Sequence, residues 1–178
     1  MSIDPFNILA KFLKEVNSLR VIACLKHDKE LIKSVDKLQE PNCITQVLPP
    51  SVITSELHLK ISAYYTFKSF DTGRNVSRKP YIEFLLYLLG TRQVGKVLNT
   101  LSKLIEGSKQ VIVVRICKGE IKDIKLENCL RCDLSDVISK YLNLDLVRRL
   151  YNLKDKSLSL HKVSKEVLMK TIEYYLSL

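Results

Sequence analysis

Residues 81–89 form a segment that is apolar almost without interruption, with Glu83 as its single charged side chain. A helix of this composition is apolar on every side, so it has to be buried inside protein. The segment is also too short to cross a bilayer, which takes about 20 residues. It therefore predicts a short central helix around which the other elements of the fold pack.

A sharp corner between two helices is predicted where this segment ends. Gly90 has the conformational freedom to end the first helix, and Thr91 is a suitable N-cap for the next one. The following residues repeat at three- and four-residue steps, so one side of the second helix should pack and the other should be basic. The apolar side comprises Val94, Val97, Leu98, Leu101 and Leu104, and the opposite side comprises Arg92, Lys96, Asn99 and Lys103.

Apolar periodicity and turn residues predict the remaining elements. Strands are predicted at residues 19–25, 44–48 and 110–117, with a return strand through Ile121, Ile124 and Leu126. Helices are predicted at residues 5–16, 28–38, from 54 or 55 to 71, 134–141, 144–151 and 164–176. Because no repeat or linker is present, we expect residues 1–178 to form a single helix-rich α+β domain, whose small mixed or antiparallel sheet is flanked by helices.

The net charge of +10 is concentrated in the middle of the chain. Residues 60–115 carry ten basic and three acidic side chains, whereas residues 1–59 carry seven of each. Clustered lysine and arginine attract phosphate and release counterions from nucleic acid, so RNA is one natural partner. A well-solvated, lysine-rich surface without such a partner is the alternative.

The sequence shows no secretion signal and no apolar run of transmembrane length. Five cysteines, an odd number at irregular spacing, favour reduced thiols over a disulfide framework. We therefore expect a cytoplasmic protein that does not engage a membrane.

Independent catalysis has little support in the sequence. The five glycines form neither of the common phosphate-cradling patterns, and the chain has no G-x-S-x-G elbow. The histidines His27, His58 and His161 stand far apart and lack triad or metal-ligand spacing. We expect a protein that is not an enzyme and that needs no cofactor or metal.

One pair of thiols, Cys129 and Cys132, leaves two interpretations open. The pair could be half of a zinc site or a redox-active pair, although a structural zinc site normally shows a second pair. It could instead be two partly buried thiols before a helix capped by Asp133, or part of a structural disulfide. We favour the second interpretation. Further ligands for a zinc site would have to come from Cys117, Cys43 or His161.

The basic side chains on either side of the apolar helix are the stronger candidates for a site. Arg74, Arg78 and Lys79 precede this helix, and Arg92 and Lys96 follow it, where the start of the next helix favours an anion. Together they are a candidate phosphate path. Neighbouring tyrosines are either stacking surfaces for bases or, more commonly, core residues. They are Tyr64, Tyr65, Tyr81 and Tyr87.

Three stretches of the chain resemble one known family. They are Gly73-x-Asn75-Val76-Ser77, the glutamate-led helix Glu83-Phe84-Leu85-Leu86-Tyr87, and the corner Gly90-Thr91-Arg92-Gln93-Val94. In this order they resemble the small kinase-activating subunit of the KEOPS complex, the TPRKB family, which has human and archaeal members. The resemblance implies that Asn75, Glu83 and Gly90 shape the turn of the family motif.

The resemblance also implies a function. Members of this family are non-catalytic adaptors that bind and stimulate the small atypical kinase or ATPase subunit of KEOPS. They also bind the 3′ CCA end of tRNA, in support of threonylcarbamoyladenosine modification by a transferase subunit that they reach through the kinase. On this hypothesis the tRNA-binding residues are Arg74, Arg78, Lys79, Arg92 and Lys96. A stand-alone basic RNA-binding protein is the alternative, with a thiol- or metal-dependent enzyme as a weaker one.

Overall fold

The structure is a computed structural model that describes residues 14, 16, 18–24, 31, 34–121, 124, 126, 129–155, 157 and 159–178. Of residues 23 and 24 it describes only the backbone. The helix predicted at residues 5–16 lies almost entirely outside the described residues. The helix predicted at 28–38 does so in large part, and its described end forms a 3-10 turn at Val35–Leu38.

Four strands form one antiparallel sheet in the order β2-β3-β1-β4. Their bounds are β1 Ser18–Cys24, β2 Cys43–Leu48, β3 Val111–Cys117 and β4 Cys129–Arg131. Every residue of β2 and β3 is buried, so both faces of this part of the sheet are covered. The strands predicted at 19–25, 44–48 and 110–117 are confirmed to within a residue or two.

The predicted return strand is wrong. Ile121, Ile124 and Leu126 belong to neither a helix nor a strand. The chain instead reaches the sheet at β4, which pairs with β1 rather than with the preceding strand β3. Strands β1 and β2 pair with the two edges of β3. No edge of β3 is therefore free to pair with a hairpin partner.

Six α-helices complete the described part of the fold and confirm the α+β class. They are α1 Glu56–Asp71, α2 Pro80–Leu89, α3 Val94–Glu106, α4 Leu134–Tyr141, α5 Leu144–Leu150 and α6 Leu160–Leu176. Ser55 is the N-cap of α1, and its side chain accepts a hydrogen bond from the backbone N–H of His58. No helix in the described residues is both long and apolar enough to span a membrane.

The apolar segment lies at the centre, as its composition predicted. Helix α2 packs against α1, α3, α6 and β2, and Phe84, Leu86 and Tyr87 are completely buried in it. Tyr87 and Tyr65 belong to a cluster of rings that extends to α6, where the Tyr65 and Tyr175 rings stack 4.0 Å apart. The four tyrosines considered as base-stacking surfaces are all buried, so they serve the core.

The corner after α2 forms at Gly90, whose φ of 61° is in the left-handed region. A side chain there would be strained, and its Cβ would lie 3.6 Å from the carbonyl oxygen of Lys170 on α6. The prediction that Thr91 caps the next helix is wrong by two residues. Gln93 is the N-cap of α3, because the chain bends at Arg92 before the helix starts. The Gln93 N–H donates to the Thr91 hydroxyl at 3.4 Å.

The buried side of α3 is narrower than predicted. Val97, Leu101 and Ile105 are buried, whereas Leu98 is 38% exposed. These three residues are spaced four apart and lie on one narrow face of α3, which packs against its neighbours. Leu98 lies beside that face. Leu98 is therefore a surface residue rather than part of the apolar core.

The expectation of reduced thiols is wrong for at least three cysteines. Cys43 and Cys117 form a disulfide that joins opposite residues of β2 and β3. Cys129 is also disulfide-bonded. A thiol in a disulfide does not ligate zinc as a thiolate, so the zinc site suggested around Cys129 and Cys132 loses three of its candidate ligands.

Candidate functional site

The loop at residues 72–79 connects α1 to α2 and is mostly exposed. Gly73 has a φ of 67°, and the N–H of Arg74 donates to the carbonyl of Ser69 at 2.8 Å, which ends α1. The chain then turns back toward α2 within a few residues. This basic loop, as we call residues 72–79, presents Arg74, Arg78 and Lys79 at the surface.

One carboxylate holds the basic loop in place. Glu83 is completely buried in the first turn of α2, and its Oε2 accepts hydrogen bonds from the N–H groups of Val76 at 3.0 Å and Ser77 at 2.7 Å. The side-chain amide of Asn75 donates to the carbonyl of Ser77 at 2.9 Å. The single charge in the apolar segment thus fixes the conformation of the loop before it.

The electrostatics of Glu83 reflect its burial. Loss of water raises the pKa of its carboxyl group, and the two backbone N–H donors and the charge of Arg92 oppose this rise. Its second oxygen, Oε1, is buried without a hydrogen-bond partner in the described part of the chain. Burial likewise raises the pKa of Tyr87 to about 12, a rise that the nearby charge of Arg74 opposes. Arg74 and Arg92 therefore both influence the buried groups of α2.

Lys79 is already engaged by an acidic partner. Its amine lies 3.0 Å from the carboxylate of Asp36 and 5.4 Å from the centre of the Tyr81 ring. The hydroxyl of Tyr81 donates to the same carboxylate. These contacts, the tyrosine hydrogen bond first, lower the pKa of Asp36. A phosphate at Lys79 would have to compete with Asp36.

The structure divides the five predicted cations among three places. Arg74, Arg78 and Lys79 lie in the basic loop before the N-terminal end of α2. The backbone of Arg92 follows the C-terminal end of α2, about 15 Å away along a ten-residue helix. The charge of Arg92 acts on Glu83, and the charge of Arg74 acts on Tyr87, both buried in α2. Lys96 lies in a cleft formed by α3 and α6.

The cleft beside Lys96 has a volume of about 510 Å³. It contains residues that sequence reasoning missed, because α6 is distant in the chain from the corner at Gly90. No local pattern marks these residues, since their positions on α6 matter only once that helix packs on α2. The polar and aromatic side chains lining the cleft include Thr91, Lys96, Thr100, Lys170, Glu173 and Tyr174.

The C-terminal end of α2 is held by side chains from three other segments. His58 Nε2 lies 3.1 Å from the carbonyl oxygen of Leu88, and because a carbonyl only accepts, Nε2 carries the hydrogen. The hydroxyl of Tyr151 donates to the same oxygen, and that of Thr171 donates to the carbonyl of Tyr87 at 3.2 Å. Complete burial lowers the pKa of His58 to about 4, so this histidine is neutral and structural.

No group of three or more potential metal-ligating side chains occurs among the residues that the structure describes. The three histidines do not form a reactive cluster there either, since His58 is buried against α2 and His161 is exposed at the start of α6. His27 lies outside the described residues. The arrangement is therefore that of a charged surface on a packed core.

Comparison with known proteins identifies the family of this chain. A comparison with curated proteins finds no match. A protein-family model described as "Kinase binding protein CGI-121" matches residues 23–173. This range contains strands β2 and β3 and most of α6. The match covers well over half of the chain, so this chain belongs to the CGI-121 family of kinase binding proteins.

Proposed function

We propose that this protein is a non-catalytic regulatory subunit of the KEOPS complex, which binds and stimulates the complex's small atypical kinase or ATPase subunit. Membership of a family described as kinase-binding is the observation that carries the proposal. The buried, neutral state of His58 gives this histidine a structural role. We further propose that residues 1–178 form one domain that works in the cytoplasm.

A second part of the proposal is binding of the tRNA 3′ CCA end, in support of threonylcarbamoyladenosine modification. It is supported by the exposed cations Arg74 and Arg78 on a loop whose conformation Glu83 fixes. A loop held in one conformation loses little entropy when it binds. Lys79 and Arg92 add positive charge at the two ends of α2, and Lys96 adds it on α3. A flexible single strand can follow such separated charges.

The kinase part is tested with the purified kinase subunit. We expect a complex that survives gel filtration, and a rise in the kinase's ATP hydrolysis when this protein is added. The protein alone should hydrolyse no ATP. Absence of binding to the kinase would overturn the proposal, whereas binding without stimulation would reduce it to an adaptor without a regulatory role.

The RNA part is tested by titrating tRNA with and without its 3′ CCA end against the protein. We expect weaker binding of the truncated tRNA, and weaker binding of intact tRNA to Arg78→Ala and Arg92→Ala. Lys103→Ala is the matched control, because Lys103 is exposed near the far end of α3. Equal affinity for the two tRNAs would mean that the surface attracts RNA only by general electrostatics.

The stand-alone RNA-binding alternative differs in one measurable respect. Such a protein would bind tRNA as tightly in the absence of the kinase and would not form the kinase complex. The thiol- or metal-dependent enzyme has little support, since Cys43, Cys117 and Cys129 are in disulfides. The transferase subunit would be reached indirectly, through the kinase.

A further inference from the structure

The second oxygen of Glu83 belongs to a group of buried polar atoms that the proposed function does not use. Glu83 and Tyr87 are four residues apart on α2, so they share one face of this helix. The Tyr174 ring on α6 meets the Tyr87 ring edge-on, with 5.1 Å between the ring centres. Glu83 and Tyr87 are completely buried, and Tyr174 is 7% exposed. These three residues, which we call the buried cluster, join α2 to α6 inside the core.

Three atoms of the buried cluster have no hydrogen-bond partner in the described part of the chain. They are Glu83 Oε1 and the hydroxyl oxygens of Tyr87 and Tyr174. The Ser69 hydroxyl lies near that of Tyr87, but it donates its hydrogen to the carbonyl of Thr66 at 2.7 Å. A buried polar atom without a partner destabilises a folded protein, so three of them in one place indicate a shared partner.

The three atoms of the buried cluster have complementary hydrogen-bonding roles. Burial raises the pKa of the Tyr87 and Tyr174 hydroxyls, and the nearby charge of Glu83 raises both further, so each hydroxyl keeps a hydrogen to donate. The ionised carboxylate can only accept. Since no direct hydrogen bond joins these atoms, the partner has to lie between them. A water molecule both donates and accepts, and a buried water typically makes about three hydrogen bonds.

We propose that Tyr174 positions the basic loop through one buried water, which bridges Glu83 Oε1 to the hydroxyls of Tyr174 and Tyr87. The other oxygen of Glu83 accepts the N–H groups of Val76 and Ser77, so the bridge connects the basic loop to α6. It adds a contact from a distant helix to the local hydrogen bonds that Glu83 makes with the loop. This positioning does not depend on the proposed function.

The test is amide hydrogen exchange of the full chain without RNA, in the wild type and in Tyr174→Phe. Phenylalanine keeps the ring against Tyr87 and removes only the hydroxyl. The N–H groups of Val76 and Ser77 should exchange about fivefold faster or more, because the carboxylate that holds them loses one of its supports. Tyr87→Phe should have an effect in the same direction.

Tyr141→Phe is the matched control, because it removes the hydroxyl of a half-buried tyrosine on α4, outside the buried cluster. It should leave the exchange of Val76 and Ser77 unchanged. The N–H of Val113, in the buried strand β3, reports unfolding of the whole domain. Unchanged loop exchange in Tyr174→Phe would overturn the proposal, and so would an acceleration that is equally large at Val113.

The midpoint of urea unfolding gives an independent sign. If the Tyr174 hydroxyl had no partner, Tyr174→Phe would raise the midpoint or leave it unchanged, because it removes an unsatisfied buried group. The water bridge predicts a lower midpoint instead. The decrease should be smaller in a Glu83→Ala background, where the acceptor is already missing. Equal decreases in the two backgrounds would contradict the bridge.

A crystal structure would show the bridge directly. We expect one water within about 3.2 Å of Glu83 Oε1 and of at least one of the two hydroxyls, and a dry cluster would overturn the proposal. A final arm rests on the proposed function: Tyr174→Phe should also weaken tRNA binding. Faster loop exchange with unchanged tRNA affinity would support the bridge and count against the RNA part alone, so the two failures are distinguishable.

Discussion

The two ends of α2 are both fully restrained, but by contacts of different reach. At the N-terminal end, Glu83 holds Val76 and Ser77, which are seven and six residues away in the sequence. At the C-terminal end, the carbonyls of Tyr87 and Leu88 accept hydrogen bonds from residues 30 to 84 positions away. The N-terminal end is restrained by residues near it in the sequence, whereas the restraint of the C-terminal end depends on the complete fold.

This difference separates a surface for a partner from the part that supports it. A local restraint can be loosened without unfolding the protein, so the N-terminal end is where charge and conformation can be adapted to a ligand. The C-terminal end joins α1, α5 and α6 to the central helix, so changes there should reduce stability first. The following predictions test that separation.

The largest effect is expected from acid at the C-terminal end. The pKa of His58 is lowered from 6.5 to about 4, so between these values the unfolded chain binds a proton that the folded protein does not. Stability should therefore fall as the pH falls from about 6.5 to 4, by about 3 kcal/mol from this residue alone, and should not change through His58 above that window. Urea unfolding across the window measures it.

Carboxylates also lose stability in acid, so the contribution of His58 requires a difference measurement. His58→Gln can still donate a hydrogen bond to Leu88 and should show a shallower fall between pH 6.5 and 4. His161→Gln is the control, because His161 is exposed at the start of α6. Parallel profiles for the wild type and His58→Gln would contradict the assignment of this histidine as buried and neutral.

The next effect concerns the restraint at the N-terminal end. Glu83→Ala removes the acceptor for two backbone N–H groups and should cost about 2 kcal/mol of stability. Glu83→Gln keeps one oxygen acceptor at the same place and should lose less. If the basic loop binds RNA, Glu83→Ala should also weaken tRNA binding, whereas His58→Gln at neutral pH should not.

The contrast has a clear readout. Unfolding is measured by urea titration. Binding is measured by tRNA titration without denaturant, under conditions in which every variant is folded. Unchanged tRNA affinity in Glu83→Ala would separate the loop's conformation from RNA binding. Equal losses of affinity in Glu83→Ala and His58→Gln would mean that the two ends do not differ in the proposed way.

The same difference in reach explains what the sequence could predict. The apolar segment, its end at Gly90 and the capping of α1 are local, and each was predicted from adjacent residues. The turn around Asn75 and the position of Glu83 followed from the resemblance to a family. By contrast, the roles of His58, Tyr151 and Thr171 depend on packing between distant segments, for which periodicity carries no signal.

The errors have the same origin. Leu98 was assigned to the core because periodicity shows which residues share a helix face, but not how wide the contact with neighbouring elements is. The return strand after β3 failed because strand order is decided by pairing with β1 and β2. The disulfide between Cys43 and Cys117 joins residues 74 positions apart, a pairing that spacing does not reveal.

A smaller effect is expected from Arg92, the cation that follows the C-terminal end of α2. Arg92→Gln should cost little stability, because Arg92 is exposed and water screens its attraction to Glu83. If Arg92 contacts an RNA phosphate, the slope of log affinity against log salt should fall in magnitude by about 0.7. Lys103→Gln, the matched control on α3, should not change the slope.

The smallest effect is expected at Lys79, because its charge is already shared with Asp36 at 3.0 Å. A phosphate there gains little, since it has to displace an existing carboxylate. Lys79→Ala should therefore weaken tRNA binding by about twofold or less, whereas Asp36→Asn should strengthen it by a similar factor as the lysine becomes available. Tyr81 complicates the second variant, because its hydroxyl donates to Asp36 and can still donate to the asparagine oxygen.

A loss at Lys79→Ala as large as that at Arg92→Gln, with no gain at Asp36→Asn, would show that RNA displaces the carboxylate easily. The N-terminal end of α2 would then contribute to binding as much as the region around Arg92, and the local ion pair would be a surface contact without influence on the ligand.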